Sequence, residues 1–275
     1  MTSPEPAGKS TPQSDLPIGT SGRDALTVAT QLARQAARLA RGRLDAEHQV
    51  HYKGKADLVT EVDLGAQQLI VEGISREFPG HDILAEESAA RKRSSPYVWI
   101  IDPIDGTLNY ARDIAFFCIS VALARHDDTI CGVIVDPMRD EVFFTQRGCG
   151  SYLNGKPISV GSNHTLGHST VGIDLGYDEE GRRRALRDAG QLLPYIQTLR
   201  LLGSSALGLA YVACGRLDAY LHHWLFPWDL ATARLLVAEA GGQVTERDGS
   251  SCSLSSHTVL AANAELHGLL LAALR

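Results

Sequence analysis

Tyr97-Val98-Trp99-Ile100-Ile101 runs directly into Asp102-Pro103-Ile104-Asp105-Gly106-Thr107-Leu108. The apolar, β-forming lead predicts a buried strand, and the acid after it predicts the strand's end. Pro103 fixes one φ angle and Gly106 relieves another, so the chain turns sharply there. Two carboxylates three residues apart on a stiff turn are suited to hard cations, which prefer oxygen ligands. Gly106-Thr107 opens a short helical turn whose N–H groups can cradle a phosphate. The stretch therefore points to Mg²⁺-dependent phosphate chemistry.

Upstream, Ile83-Leu84-Ala85 reads as a short strand delivering Glu86-Glu87. Residues 24–44 carry Leu26, Ala29, Leu32, Ala36, Leu39 and Ala40 at helical spacing. Residues 52–57 read as a polar turn or hairpin. A second helix is expected from Asp63, as its N-cap, to Pro79-Gly80. Downstream, residues 115–124, 130–135 and 141–145 read as strands. Asn154-Gly155 is a hairpin turn between residues 151–153 and 157–160. From about residue 165, strands at 171–175, 199–202 and 217–222 alternate with helices at 179–193, 205–214 and 229–240. The middle of the chain thus predicts antiparallel sheet, and the last third a layered α/β arrangement.

With 275 residues, 44% hydrophobic and 21% charged, the chain can bury a large core. Residues 1–22, rich in Pro, Ser, Thr and Gly, are expected as a disordered tail. Residues 23–275 are expected to form a single catalytic unit with halves at 23–165 and 166–275. A net charge of −6 excludes the basic surplus of a nucleic-acid scaffold, and no apolar run is long enough to span a membrane. Five cysteines without a CxxC pair, and no signal-peptide pattern, predict a reduced, cytoplasmic setting. Cys118 and Cys131 lie inside apolar runs and read as core filler.

Asp63, Glu86, Asp102, Asp105 and Asp229 each follow an apolar or turn segment. Brought together they would repel one another and hold protons, a conflict that bound Mg²⁺ removes. Each taken alone is an ordinary cap, but capping does not explain Asp102 and Asp105 in one turn. Thr107 can orient a water whose proton Asp63 accepts, although on its own it reads as a cap hydroxyl. Asp-Gly-Thr-Leu also ends the signature of haloacid dehalogenase-type phosphatases. Their nucleophilic aspartate would stand two residues before Asp105, at Pro103, so an aspartyl nucleophile is disfavoured.

These motifs resemble the inositol monophosphatase family of Mg²⁺-dependent, lithium-sensitive phosphatases. Residues 99–110 are similar to its first signature. Trp228-Asp229-Leu230-Ala231, Leu235-Leu236-Val237 and Gly241-Gly242 are similar to its second. Asp57-Leu58-Val59-Thr60-Glu61-Val62-Asp63 and Glu86-Glu87-Ser88 fit in the right order, and the resemblance covers residues 23–275. It implies the mixed α and β fold of the inositol monophosphatase/fructose-1,6-bisphosphatase type, a layered α-β-α-β-α sandwich, and a homodimer. Glu86, Asp102 and the Ile104 carbonyl would hold one Mg²⁺. Asp102, Asp105 and Asp229 would hold a second, and a weaker third would lie near Asp63 and Glu86. Thr107 with Asp63, beside Glu86, would activate the attacking water. Backbone N–H groups of Gly106 and Thr107 would bind phosphate, and Gly203-Ser204-Ser205-Ala206 would touch the substrate ring.

The implied substrate is inositol 1-phosphate or a similar small phosphorylated polyol. Asn109-Tyr110 resembles that branch, and Leu108 replaces the Lys of relatives acting on nucleotide 3′-phosphates or histidinol phosphate. Two residues depart from the pattern. His222, followed by His223 and Trp224, stands where animal inositol monophosphatases carry a Glu that binds inositol hydroxyls. A neutral His offers one donor and one acceptor there, where a carboxylate only accepts. Thr232 replaces a smaller residue and is expected to affect helix packing only. The alternatives are a histidinol-phosphate or fructose-1,6-bisphosphate phosphatase, and a non-catalytic binding protein on the same fold.

Overall fold

The computed structural model describes residues 16–54, 57–88 and 94–275. Helix α1 (Ala25–Arg43) starts where the Asp24 carboxylate accepts the Thr27 N–H at 2.8 Å. Its buried stripe is mostly alanine, with Val28 and Leu32, which lets the helix lie close on a neighbour. Residues 1–15 of the expected tail lie outside the described residues. Residues 16–22 are tied down: Leu16 is buried, and the N–H groups of Thr20 and Ser21 donate to Glu77 at 3.0 Å each.

The expected hairpin is an antiparallel ribbon of β1 (Val50–Tyr52) and β2 (Leu58–Thr60); Lys55 and Ala56 of its turn are outside the described residues. Helix α2 (Glu61–Glu77) begins earlier than the sequence implied. Thr60 is its N-cap, and Asp63 sits at the third helical position. Thr60 Oγ1 accepts from the Asp63 N–H at 3.4 Å, and Asp63 Oδ2 accepts from the Thr60 N–H at 2.9 Å. This reciprocal box satisfies two orphan donors at once, which a lone Asp63 cap could not do.

Strands β3 (Asp82–Ala85), β4 (Tyr97–Asp105), β5 (Cys118–Arg125), β6 (Asp128–Asp136), β7 (Glu141–Gln146), β8 (Gly150–Leu153) and β9 (Lys156–Pro157) form one sheet in chain order. β3 runs parallel to β4 and the other pairs are antiparallel. Strand β4 does not stop at Asp102 but continues through Asp105. Asp102 pairs with Ser120 and Asp105 with Cys118, so β4 takes three steps to two on β5. Pro103, with no N–H to give the ladder, sits in this bulge, and the bulge re-aims the two acids. The four-residue α3 (Thr107–Tyr110) follows.

The second sheet has the order β11-β10-β12-β14-β13. Its elements are β10 (Thr170–Asp174), α4 (Glu179–Leu192), β11 (Thr198–Arg200), α5 (Ser205–Ala213), β12 (Ala219–His222), α6 (Pro227–Glu239), β13 (Gln243–Thr245), β14 (Val259–Ala262) and α7 (Ala264–Ala273). Helices α1 and α2 cover one face of the large sheet, α5 and α6 fill the space between sheets, and α4 and α7 cover the outer face of the small sheet. The layering is therefore α-β-α-β-α. Helix α5 is buried almost all round because it has a sheet on either side. Among the described residues, no helix is long and apolar enough to cross a membrane.

Candidate active site

The acids sit where elements end or begin. Asp102 and Asp105 flank the β4 bulge, Asp63 opens α2 and Asp229 opens α6. Pro227 is the first residue of α6, and this puts Asp229 at its third position, where Oδ2 accepts the Phe226 N–H at 2.7 Å. Glu86 follows β3, and its N–H donates to the Ile101 carbonyl at 3.2 Å, which carries it alongside Asp102. Carboxylate oxygens of Asp102, Asp105 and Asp229 all lie within 4.8 Å of one another, and all three residues are buried.

Asp105 is bonded to the start of α5: Ser204 Oγ donates at 2.5 Å, the Ser205 N–H at 3.1 Å and the Ala206 N–H at 2.7 Å. The Ser205 hydroxyl lies 3.2 Å from both Asp105 and Asp229. Ser204 and Ser205, expected at a substrate ring, thus direct their hydroxyls to the acids, although both line the cleft. The Thr107 hydroxyl lies 3.1 Å from Asp63 Oδ1 and 2.9 Å from the Ile104 carbonyl. The Ile104 N–H donates to Asp102 at 3.1 Å.

Crowding these groups shifts their proton affinities. Burial pushes the Asp63 carboxyl up to about 6, against the hydrogen bonds from Thr60 and Thr107. Burial and the charge of Asp105 push Asp229 up to about 7. Asp102 is raised well above the usual range by burial and then by the charges of Glu86, Asp105 and Asp229. Glu86 is raised by burial, although Lys53 opposes the shift. The Lys53 ammonium lies 2.7 Å from Glu87, 3.3 Å from Asp57 and 3.7 Å from Glu86. Its own pKa is raised: burial works against the charge, but the Glu87 bond and the surrounding acids outweigh it. Among the described residues, no Lys or Arg is ion-paired with Asp102, Asp105 or Asp229. A buried set of carboxylates with no cation of its own fits a divalent metal.

A cleft open to solvent lies over Asp105 and Asp229. Gly106 floors it with φ 101°, and a Cβ there would meet the Gly203 carbonyl at 3.0 Å and the Phe116 carbonyl at 3.2 Å. Thr107, Gly203, His222 and Trp224 also line it. Asn109 also lines it, and Asn109 and the buried Tyr110 brace its floor. Asn109 Nδ2 donates to the Phe116 and Leu202 carbonyls at 2.7 Å each, and the Tyr110 hydroxyl to the Ala40 carbonyl at 2.9 Å. Thr232 is buried and accepts from Ser120 Oγ at 3.1 Å, a packing role as expected.

Sequence reasoning missed Lys53 and Asp174. Asp174 accepts from the Leu202 and Gly203 N–H groups at 2.7 and 2.8 Å and from the Tyr220 hydroxyl at 2.8 Å, fixing the loop before α5. The available signal was an acid ending an apolar strand, as at Asp102. Lys53 carried no signal beyond a polar turn.

The five layers and the acid-lined cleft fit a phosphatase, with a buried carboxylate cluster able to bind metal. The model of the inositol monophosphatase family matches residues 23–275, and the chain belongs to that family. The inositol monophosphatase of Dictyostelium discoideum is 36% identical over 221 residues, covering 78% of this chain and 81% of the relative. The Salmonella typhimurium protein called Nus factor SuhB is 34% identical over 256 residues, covering 91% and 95%. Among solved structures, the SuhB extragenic suppressor of Bartonella henselae superposes with a TM-score of 0.87 at 32% identity, covering 90% of this chain and 97% of that one. The Thermotoga maritima IMPase superposes at 0.84, with 32% identity and coverages of 90% and 96%. The expected sandwich and phosphatase class are therefore borne out.

Proposed function

We propose that the protein hydrolyses the monophosphate of a small polyol, inositol 1-phosphate or one like it, with two or three Mg²⁺ ions. Glu86, Asp102, Asp105, Asp229 and the Ile104 carbonyl would hold the ions. The observation that carries this reading is the buried convergence of Asp102, Asp105 and Asp229 under a cleft floored by Gly106. When bound, the ions supply charge stabilisation at the phosphoryl group and an acidified water.

The chain's own residues do the positioning. Thr107 donates its hydroxyl proton to Asp63, which leaves an Oγ1 lone pair to accept from and orient a water in the cleft. Asp63, buried and raised to about 6, is matched to take a proton near neutral pH, with Glu86 beside the same path. N–H groups of Gly106 and Thr107, at the start of α3, hold phosphate oxygens. Gly203, Ser204, Ser205 and His222 wall the space for the alcohol. A cytoplasmic homodimer is part of the same reading; the five free cysteines support the reduced setting.

Phosphate release from inositol 1-phosphate, histidinol phosphate and fructose 1,6-bisphosphate, with and without Mg²⁺, tests the proposal, with Asp102→Asn as the blank. Mg²⁺-dependent release, fastest from inositol 1-phosphate and nearly abolished in Asp102→Asn, is expected. Release indifferent to chelation or to Asp102→Asn would overturn the metal assignment.

A further inference from the structure

Asp174 closes β10 on the wall of the cleft and is 6% exposed. It stands outside the cluster formed by Asp102, Asp105 and Asp229. Its Oδ1 accepts from the Leu202 and Gly203 N–H groups, and its Oδ2 from the Tyr220 hydroxyl. Three of the roughly four lone-pair places on the carboxylate are thus taken by protein donors. Tyr220 is fully buried and has no room to turn from this bond. A Cβ on Gly172 of β10 would come within 2.7 Å of its ring, and one on Gly208 of α5 within 2.5 Å. The ring therefore fills the space between β10 and α5, and its hydroxyl meets Asp174 from a fixed place.

The loop that Asp174 holds leads directly into the groups that hold Asp105. Four of the five backbone N–H groups from 202 to 206 go to two carboxylates: Leu202 and Gly203 to Asp174, Ser205 and Ala206 to Asp105. Ser204 adds its hydroxyl to Asp105. Gly203 turns the chain between the two pairs with φ 78°, and a Cβ there would meet the Asn109 amide at 2.9 Å. That amide holds the Leu202 carbonyl from the other side. Five residues tied at both ends have no slack, so a shift at Gly203 passes to Ser205 and Ala206.

We propose that Asp174 is a positioning residue of the metal centre: it sets where the start of α5 meets Asp105, and thereby the aim of that carboxylate at a divalent ion. This rests on the reading of the acids as a Mg²⁺ site, given above. Asp174 acts through the loop and touches neither ion nor ester. Its bonds, and not its charge, set the aim, so an amide at this position should serve as well. Groups that orient a ligand carboxylate in this way are typically worth about 10–100-fold in metal affinity or activity.

The test measures Mg²⁺ affinity by calorimetry, and kcat and KM for inositol 1-phosphate per folded molecule, in the full chain. Asp174→Ala should weaken Mg²⁺ binding by about 10-fold and lower kcat by about 10–100-fold, with KM changed far less. Gly203 is exposed, so water can bond the freed N–H groups, and the variant is expected to fold with a loosened loop. Asp174→Asn should stay within about 3-fold of the wild type: its amide oxygen can accept both loop N–H groups, and Tyr220 can turn its hydroxyl to accept from the amide. Tyr220→Phe removes the anchor on the carboxylate and should weaken Mg²⁺ in the same direction, by about 3-fold. In EDTA, the Ser205 and Ala206 amide signals in ¹H–¹⁵N spectra should move in Asp174→Ala and hold in Asp174→Asn.

A lower Tm for Asp174→Ala with Mg²⁺ affinity and kcat unchanged would make Asp174 merely structural and overturn the proposal. Should that variant not fold, unchanged Mg²⁺ affinity in Tyr220→Phe would do the same. Losses in Asp174→Asn as large as in Asp174→Ala would show that the charge is what counts, and would also overturn it. A wild type that binds Mg²⁺ but releases no phosphate would remove the phosphatase reading alone, and the affinities and spectra would still decide this one. A wild type that binds no Mg²⁺ would remove both.

Discussion

Replacing Asp229 by Asn should stabilise the metal-free protein while removing its activity. Burial and the charge of Asp105 raise the Asp229 carboxyl from 3.8 to about 7. For an acid raised in this way, the native state holds more protons than the unfolded chain between the two values. Stability therefore falls as pH climbs from about 4 to about 7, and the full penalty applies above that window. A rise of about three units at about 1.36 kcal/mol each makes the penalty about 4 kcal/mol at pH 8. Asn carries no charge, and its oxygen can still accept the Phe226 N–H while Ser205 rotates its hydroxyl to accept from the amide. A gain of about 2–4 kcal/mol corresponds to a Tm increase of about 10 °C in a chain of this size. Thermal unfolding in EDTA at pH 8 and pH 4 measures it: the variant should gain at pH 8 and show no advantage at pH 4. Saturating Mg²⁺ should then raise the Tm of the wild type far more than that of the variant. A lower Tm for the variant at pH 8 in EDTA, or the same gain at both pH values, would refute the electrostatic argument.

Three other outcomes follow from the geometry. Thr107→Ala should cut phosphate release by about 10²–10⁴-fold with Mg²⁺ affinity by calorimetry nearly unchanged, and a matching loss of affinity would make Thr107 part of the metal site. Gly106→Ala should destabilise the fold by about 1–3 kcal/mol in urea unfolding, because φ is 101° and the added methyl meets two carbonyls; an unchanged midpoint would contradict the close approach. Mg²⁺ binding near pH 7 should release protons, since burial and mutual charge hold them on Asp102 and Glu86, and the release should fade as pH rises. Titrations in buffers of different ionisation enthalpy count these protons, and a count of zero near neutral pH would show that the acids are already ionised.

The acid turn and the order of elements were legible because strong local signals coincide there: an apolar run, a proline, a glycine and two carboxylates. The exact start of each functional helix was not. Thr60-Glu61-Val62-Asp63 can be capped at either end of the tetrad, and only the reciprocal bonds choose Thr60. At α6, Pro227 moves the start two residues ahead of Asp229. The C-terminal elements left little trace. β13 is three residues long, Val259–Ala262 is buried on both faces and so does not alternate, and α7 is apolar nearly all round. Their identity comes from neighbours distant in sequence, as do the β10–β12 pairing and the loop contacts of Asp174. The tautomer of His222 was open in the sequence, since either ring nitrogen could carry the proton until the Trp224 N–H fixed Nδ1 as the acceptor.

Asp63 and Asp229 share one arrangement: each stands at the third residue of its helix, with one carboxylate oxygen bound to the N-cap N–H and the other turned toward the site. Each acid therefore has a duty to the fold that is independent of any reaction. A descendant that had abandoned phosphate chemistry would still be under pressure to keep a capping oxygen at both positions, which Asn supplies as well as Asp, because losing it leaves a helix start unsatisfied. A capping side chain at these two positions is thus a poor sign of a living enzyme. Thr107 and Glu86 cap no helix through their side chains, and drift at those two positions is where the loss of function would first be written.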